Sequence, residues 1–272
     1  MSTTTPTASE LVAYNANCHC RAVTFTVRIP SLSEIEIVSC NCSICTRNGY
    51  LMAYPDPSNV KYHTGLDNLT EFHFASGIGA HTFCKTCGSS IGGEFHIGDM
   101  HMVAINVRLF EDIDVSVLKL KYGDRKDVGP PYEYPHFPSD SDPAREHSLI
   151  PYHGNCQCKI VTYTAYIPSL SETEVIQDNC SICVKNAYIL ATSRPKDVVF
   201  HSGVDHLTTY AFGRKKVIHK FCQTCGSSVY LDRAGLGRDE FGMNARMFKD
   251  VDLKALKYQY TDGKNLVWPS DT

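Results

Sequence analysis

The sequence predicts a mainly β protein made of two tandem copies of one small domain. Three observations support this prediction: the chain repeats itself at a fixed spacing, short segments alternate apolar and polar residues, and the cysteines are clustered. The 272 residues suffice for two domains of ordinary size. Apolar residues make up 43% of the chain, which is enough for packed cores.

The repeat has an offset of 138 residues and needs no net insertion between its anchor points. Residues 29–34 return letter for letter at 167–172, and Asn106-Val107-Arg108 returns as Asn244-Ala245-Arg246. The repeated cysteines are Cys18 with Cys156, Cys20 with Cys158, Cys84 with Cys222 and Cys87 with Cys225. We therefore expect two domains of the same fold, at 10–130 and 149–272.

A proline-rich segment at 131–148 is the predicted linker between the copies. The stretch from 129 to 143 holds five prolines, which exclude a regular helix or a central strand there. Its aromatic residues leave two interpretations open. The segment is either a loose linker or is partly packed on one of the domains.

Strand signals dominate inside each copy. Val23, Phe25, Val27 and Ile29 alternate with polar residues, which is the period-two pattern of a half-buried strand, and Val161 begins the same pattern again. Further short strands are expected at 69–75, 81–83 and 102–107. Helical periodicity is weak, with single turns expected at 43–48 and 114–118.

Charge and composition argue against several classes of partner. A net charge of -3 and a pI near 6.4 do not fit a nucleic-acid-binding face, and the longest basic run is Arg214-Lys215-Lys216. The apolar runs are too short to span a bilayer. The first ten residues lack the basic and apolar regions of a secretory signal, so we expect a cytoplasmic protein with reduced thiols. The sequence does not indicate an oligomeric state.

The thirteen cysteines all fall in C-x-C or C-x-x-C clusters. Scattered buried thiols would behave as small hydrophobic residues, and these have no reason to cluster. A disulfide scaffold would require an oxidising compartment and an even count. The clusters therefore indicate metal ligands, and thiolates favour zinc.

Two four-cysteine sets are predicted to be closed structural zinc sites. Cys84-x-x-Cys87 followed by Gly88 has the form of a zinc-ribbon knuckle, which supplies two ligands and needs two more. Cys18 and Cys20 can supply them. The second copy repeats the whole set as Cys156, Cys158, Cys222 and Cys225.

A third cluster has a different chemistry. Cys40, Cys42 and Cys45 offer three thiolates within six residues, and three protein ligands with one open position are typical of a catalytic zinc. The open position would admit water or a substrate thiol and lower its pKa. Two alternatives are a fourth ligand from the chain, which would make another structural site, and a redox-active thiol cluster.

The second copy departs from this pattern, because Asp178 replaces the first cysteine of the cluster while Cys180 and Cys183 remain. A carboxylate can bind zinc, but it is a harder ligand than a thiolate. We expect the Asp178, Cys180 and Cys183 site to be weakened or empty.

The ordered motifs resemble the family of glutathione-dependent formaldehyde-activating enzymes, the GFA domain, which is shared with centromere protein V. The resemblance rests on Cys18-His19-Cys20, the cluster from Cys40 to Cys45, Phe83-Cys84-Lys85-Thr86-Cys87-Gly88 and Asn106-Val107-Arg108, and it covers both copies nearly end to end. It implies a β-tent zinc fold in which Cys18, Cys20, Cys84 and Cys87 hold a structural ion. It also implies that Cys40, Cys42 and Cys45 hold the ion of the active site.

The activity implied by the resemblance is that of a carbon–sulfur lyase, which joins glutathione and formaldehyde to give S-hydroxymethylglutathione. In this mechanism a thiolate near the zinc attacks the aldehyde carbon, and a positive group stabilises the developing oxyanion. Arg47 follows the cluster and is a candidate for binding the oxyanion or a glutathione carboxylate. Lys185 takes its place in the second copy.

Other polar residues are also repeated in the two copies. His81 and His219 precede the knuckles and are expected to be hydrogen-bonded core residues rather than site groups. Arg108 and Arg246, with the asparagines two positions before them, either brace a loop or contact a ligand. Two alternative functions also remain, namely a GFA enzyme that acts on a different substrate in a specialised pathway and a non-catalytic zinc scaffold or binding module.

Overall fold

The structure is a computed structural model that describes residues 10–74, 79–126, 131–139, 146 and 148–266. The first copy contains strands β1 (Val12–Asn17), β2 (Thr24–Ile29), β3 (Ile37–Cys40), β4 (Met52–Ala53), β5 (Val60–Thr64), β6 (Leu69–Phe74), β7 (Gly79–Cys84), β8 (Ser90–Ile97), β9 (Met100–Asn106) and β10 (Leu120–Gly123). The strands expected at 69–75, 81–83 and 102–107 correspond to β6, β7 and β9, although residue 75 lies outside the described residues.

The second copy follows with the same succession of elements. Its strands are β11 (Ile150–Asn155), β12 (Thr162–Ile167), β13 (Glu174–Asp178), β14 (Leu190–Ser193), β15 (Val198–Ser202), β16 (Leu207–Tyr210), β17 (Ile218–Cys222), β18 (Ser228–Asp232), β19 (Phe241–Asn244) and β20 (Lys257–Thr261).

Each copy has a small sheet and a large sheet. In the described part of the chain, the first copy has the strand orders β1-β2-β5 and β10-β3-β4-β9-β8-β7-β6. The second copy repeats them as β11-β12-β15 and β20-β13-β14-β19-β18-β17-β16. The end strands β10 and β20 run parallel to β3 and β13. The predicted fold, mainly β with two tandem domains, is confirmed.

The core of each copy lies between its two sheets. In β2 the alternation places Phe25, Val27 and Ile29 inward, where they pack with Ile91 and Ile105 from the large sheet. Three cysteines of each four-cysteine set are packed into the apolar core of their own copy. These are Cys18, Cys84 and Cys87 in the first copy and Cys156, Cys222 and Cys225 in the second. Burial of apolar area at about 25 cal/mol per Å² is the main force that joins the sheets.

Two short helices, α1 (Ser43–Asn48) and α2 (Ser181–Lys185), follow β3 and β13, which lie next to the edge strands β10 and β20 of the large sheets. The turn expected at 114–118 is a 3₁₀ turn, Val115–Val117. Isolated helices of such length are unstable in water, so α1 and α2 depend on tertiary contacts. No helix in the part of the chain that the structure describes has the length and apolar character of a membrane span.

Part of the proline-rich segment packs on the second copy. The hydroxyl of Tyr132 donates to the Gln157 carbonyl at 3.0 Å and accepts from the Asn155 side chain at 2.7 Å. The ring of Phe137 stacks on His153 with centroids 4.6 Å apart. These contacts favour the packed interpretation for 131–139, whereas 140–145 and 147 lie outside the described residues.

The two copies contact each other through reciprocal pairs of residues. Arg47 in α1 donates to the carbonyls of Asn155 and Met247, and Lys185 in α2 donates to the carbonyls of Asn17 and Leu109. Arg47 and Lys185 are equivalent residues, 138 positions apart. Their carbonyl partners are equivalent too, since Asn155 lies 138 positions after Asn17 and Met247 lies 138 positions after Leu109. Both copies therefore contribute the same surface to the interface, as in an isologous dimer, although here they belong to one chain.

Further contacts follow the same symmetry. Arg108 donates to the Val184 carbonyl at 3.3 Å, and its counterpart Arg246 donates to the Thr46 carbonyl at 3.0 Å. Both knuckle glycines face an aromatic ring of the other copy. A Cβ on Gly88 would lie 2.7 Å from the Phe221 ring, and one on Gly226 would lie 2.5 Å from the Phe83 ring. A side chain at either position would push the copies apart.

The interface contacts of Arg47 predict a large effect of its removal. The Arg47→Ala variant should lower the free energy of unfolding by about 3 kcal/mol, because two buried carbonyls lose a charged donor. Urea-induced unfolding of the metal-loaded protein measures this change. Arg28→Ala removes an exposed arginine from β2 and should change the free energy by no more than about 0.5 kcal/mol. Equal losses in the two variants would contradict the interface assignment.

Candidate metal centres and the cavity between the domains

The first four-cysteine set is assembled by two turns that meet at the edge of the core. Cys18 and Cys20 lie in the turn between β1 and β2, and Cys84 and Cys87 lie where β7 turns into β8. Their ligand atoms all lie within 4.8 Å of one another, with Sγ–Sγ distances of 3.4 Å between Cys18 and Cys20 and 3.6 Å between Cys20 and Cys84. Gly88 closes the knuckle with a φ of 70°, in the left-handed region that glycine adopts easily.

Hydrogen-bond donors surround these sulfurs. The Val23 amide approaches the Cys18 sulfur at 3.3 Å, and the Asn68 side chain donates to Cys84 at 3.0 Å. Donors of this kind stabilise the thiolate form. The surroundings therefore suit sulfurs that carry negative charge, although Cys18 and Cys84 are fully buried.

The four thiols cannot all ionise without a cation. The pKa of Cys87 is lowered because the other three thiols hydrogen-bond to it, whereas the pKa of Cys18 is raised by its hydrogen bonds to the other three and by burial. Ionisation of one thiol in the set thus disfavours ionisation of the next. A divalent ion removes this conflict, and four thiolates are the donor set of a structural zinc site.

The second four-cysteine set repeats this arrangement. Cys156 and Cys158 have sulfurs 3.3 Å apart, and Cys158 lies 3.6 Å from Cys222. The ligand atoms of Cys156, Cys158, Cys222 and Cys225 lie within 4.8 Å of one another. The structure therefore brings together both four-residue sets that the sequence predicted.

The three-cysteine set lies where β3 meets α1. Cys40 ends the strand, Cys42 is the N-cap of the helix and Cys45 lies in its first turn. All three are only partly buried, and the Cys42 amide approaches the Cys40 sulfur at 3.4 Å. Among the described residues, no fourth Cys, His, Asp or Glu belongs to this group. It therefore differs from the closed sets in both ligand number and exposure.

A cavity of about 510 Å³ adjoins the three-cysteine set. The first copy contributes Cys40, Cys45, Arg108 and Tyr122 to its wall, while the second copy contributes Arg246 and Lys254, among others. This volume falls within the usual range of small-molecule sites, about 300–1,000 Å³. The cavity is therefore a composite of both domains.

The counterpart set in the second copy is altered at more than one position. Both carboxylate oxygens of Asp178 accept hydrogen bonds, one from the Cys180 amide at 2.7 Å and the other from the Thr261 hydroxyl at 2.5 Å. Gly263 leaves room for this carboxylate, because a Cβ there would lie 2.3 Å from the Asp178 oxygen.

The first copy has Gly123 and Arg125 at the positions of Thr261 and Gly263. The positive charge of Arg125 contributes to the lowered pKa of Cys40, after the hydrogen bonds from Cys42 and Cys45. The second copy thus has a carboxylate, Asp178, in place of the Cys40 thiol. It also lacks the neighbouring cation and has the hydroxyl donor Thr261 instead. Asp178, Cys180 and Cys183 still lie within 4.8 Å of one another.

Arg47 is brought to the domain interface and not to the cavity wall. It is buried, and its guanidinium lies 4.8 Å from the centre of the Tyr132 ring in addition to its bonds to the second copy. Its role in binding a thiol or an oxyanion stays a prediction. Lys185 occupies the reciprocal place in the interface.

The predicted core histidines are buried in the structure. Nδ1 of His81 is hydrogen-bonded to the hydroxyl of Tyr50, and the proton of that hydroxyl is donated to the Gly92 carbonyl at 3.0 Å. Burial lowers the pKa of His81 to about 4, and it does the same for His219. Both imidazoles are therefore neutral at pH 7, which supports a structural role.

The asparagines of the repeated Asn-x-Arg motif brace the backbone. Asn106 donates to the Ser90 carbonyl and Asn244 to the Ser228 carbonyl, at 3.0 and 2.8 Å, and each accepts from the amide two residues later. The arginines of the motif line the cavity instead. Tyr122 and Lys254, which also line it, carry no motif in the sequence, and only the fold places them there.

Comparison with known families agrees with this architecture. The family model described as "glutathione-dependent formaldehyde-activating enzyme" (GFA) matches residues 13–121 and again residues 151–260. The chain therefore belongs to the GFA family and carries two tandem GFA domains. A crystal structure of a Rhodobacter sphaeroides protein is 26% identical, with a TM-score of 0.34, over 39% of this chain and 99% of that chain.

Two cysteine substitutions should separate the two kinds of site. Cys87→Ala should release one ion and unfold the first domain, because closed structural sites contribute folding free energy. Cys42→Ala should release one ion and leave the fold intact. Metal content by elemental mass spectrometry and thermal unfolding by circular dichroism provide the two measurements. Unfolding of Cys42→Ala to the same degree as Cys87→Ala would show that the three-cysteine set is also structural.

Proposed function

We propose that this protein is a zinc-dependent carbon–sulfur lyase-type enzyme that adds a thiol such as glutathione to a small aldehyde such as formaldehyde. The observation that carries the proposal is the three-cysteine set, two of whose members, Cys40 and Cys45, lie on the wall of a cavity large enough for a thiol substrate. Membership of the GFA family supports the same reaction class. The product would be the S-hydroxymethyl adduct of the thiol.

Three of the groups that could hold a metal ion consist of cysteines alone and suit zinc. Cys40, Cys42 and Cys45 would hold the ion of the active site, and the two four-cysteine sets would hold structural ions. When bound at the three-cysteine set, zinc would favour the thiolate form of a nearby thiol at neutral pH. Soft sulfur donors select zinc over magnesium or calcium.

The remaining chemistry is an addition across the carbonyl group. The thiol sulfur forms a bond to the aldehyde carbon, the π electron pair of the carbonyl moves to the oxygen, and a proton ends on that oxygen. Negative charge thus develops on the oxygen, and cationic groups on the cavity wall stabilise it. Arg108 and Arg246 line the cavity and would supply such charge.

We place the active site in the first domain. Its three-cysteine set adjoins the cavity, whereas both carboxylate oxygens of Asp178 in the second domain are already hydrogen-bonded. An ion at the second set would have to compete with these bonds. The second domain is therefore proposed to be non-catalytic.

None of the thirteen cysteines, all of which lie in the described residues, forms a disulfide. Such a protein needs a reducing environment to keep its ligands available, which supports a cytoplasmic location.

The reaction itself gives the most direct test. The zinc-loaded protein, incubated with glutathione and isotopically labelled formaldehyde, should accelerate adduct formation in magnetization-exchange NMR. Cys42→Ala should return the rate to the uncatalysed value, because it removes a ligand of the open site. Cys180→Ala is the matched control in the second domain and should retain most of the activity. No acceleration by the intact protein would reject the proposal, as would full activity of Cys42→Ala.

A further inference from the structure

A group of metal-binding side chains lies on the hairpin of β8 and β9 in the first domain. His96 and His101 are directly opposite each other in the antiparallel pairing of the two strands. Glu94 precedes His96 by two residues and therefore points to the same face of the sheet. That face also carries Val103, which is the partner of Glu94 in the pairing and a member of the first core. The three polar side chains thus continue the core-facing side of the hairpin to its exposed end.

The three side chains are close enough to share one ion. One ligand atom from each residue lies within 4.8 Å of the other two. Nε2 of His101 lies 3.1 Å from Oε2 of Glu94, and the rings of His96 and His101 are stacked with centroids 4.6 Å apart. All three residues are exposed, so their side chains can turn onto an ion while the strand pairing stays in place. Paired strands, and not a loop, therefore set the spacing of the ligands.

An ordinary surface ion pair explains less of this arrangement. Glu94 with a protonated His101 would form such a pair, and exposed pairs of this kind contribute little to stability. The pair leaves His96 without a role, because two stacked imidazolium ions would repel each other. A divalent ion gives all three side chains a role, since neutral imidazoles and a carboxylate are all metal ligands.

The second copy shows that the hairpin does not need these side chains to form. Its strands β18 and β19 pair in the same antiparallel way. The positions equivalent to 94, 96 and 101 are Asp232, Ala234 and Asp239, so neither histidine is repeated. The histidines of the first copy are therefore an addition to a hairpin that the fold already stabilises.

The Glu94, His96 and His101 group is separate from the three-cysteine set. It lies at the start of β9, whereas Asn106, at the far end of that strand, pairs with β4. His101 is five residues before Asn106, which corresponds to about 17 Å along a strand. None of these three described residues lines the cavity beside the three-cysteine set. An ion at the hairpin would therefore take no part in the proposed reaction.

We propose that Glu94, His96 and His101 bind one divalent transition-metal ion of the zinc class at the surface of the first domain, with water at the remaining positions of the ion. Imidazole nitrogens suit zinc, nickel and copper, whereas magnesium and calcium prefer oxygen ligands. The ion joins β8 to β9 and stabilises the folded state by mass action. Because the ligands are exposed, occupancy of the site follows the concentration of free metal. This inference goes beyond the proposed function and does not depend on it.

Calorimetric titration of Zn²⁺ into protein whose cysteine sets are already loaded with zinc tests the inference. The titration uses the Cys180→Ala background, because the Asp178 set would otherwise take up some of the added zinc. We expect one further binding site per chain. His96→Ala and His101→Ala should each raise the Kd of this site at least tenfold, since each variant leaves only two protein ligands. Both histidines are exposed, so the fold should survive either substitution.

Glu71 and His73 on β6 provide a matched control. They are two residues apart, as Glu94 and His96 are, and Nε2 of His73 lies 3.6 Å from a carboxylate oxygen of Glu71. In the described part of the chain, no third Cys, His, Asp or Glu joins this pair. His73→Ala should therefore leave the Kd for Zn²⁺ unchanged. Absence of the further site, or equal effects of His73→Ala and His101→Ala, would overturn the inference.

Two further measurements separate the inference from its alternatives. An excess of magnesium chloride that displaces the added zinc would indicate a non-selective acidic surface and would overturn the inference. One equivalent of added Zn²⁺ should shift the ring-proton NMR signals of both His96 and His101, and a shift of only one of them would also overturn it. Both measurements are made without thiol or aldehyde, so their outcome is independent of whether the protein catalyses the proposed reaction.

Discussion

The two copies dock reciprocally, and this contact holds the two short helices in place. The middle residue of each C-x-C motif contacts the first residue of the other copy's helix, His19 with Ser181 at 3.0 Å and Gln157 with Ser43 at 3.1 Å. Each four-cysteine set thereby supports the short helix of the other copy. That helix is α1, beside the three-cysteine set, in the first copy and α2, beside the Asp178, Cys180 and Cys183 set, in the second. Because these helices are too short to be stable alone, the interface fixes the position of the three-cysteine set.

Much of the fold was accessible from sequence because its determinants are local or repeated. The period-two pattern of β2 predicts which face of the strand is buried. The spacing of Cys84 and Cys87 predicts a knuckle in which both sulfurs can bind one ion. The 138-residue offset then transfers each assignment to the second copy. Chemistry that depends on neighbours in sequence can be predicted in this way.

The site itself depends on contacts between residues far apart in the chain. Lys254 and Tyr122 have no motif, and only the docking of the domains brings them to one cavity. Arg47 lies close in sequence to the three cysteines, yet its side chain crosses into the second domain. The replacement of Cys40 by Asp178 is visible in the sequence, but its accommodation by Thr261 and Gly263 follows from strand pairing.

Two closed metal centres are proposed to support a single open one within a composite cavity. Anomalous diffraction at the zinc edge from crystals of the metal-loaded chain tests it directly. We expect full peaks at the two four-cysteine sets and a third at Cys40, Cys42 and Cys45 whose fourth position holds a non-protein ligand. The Asp178, Cys180 and Cys183 set should give a weak peak or none. A fourth protein ligand at the three-cysteine set would show that this set is closed, and four equal peaks at the cysteine-containing sets would show that the second domain retains its site.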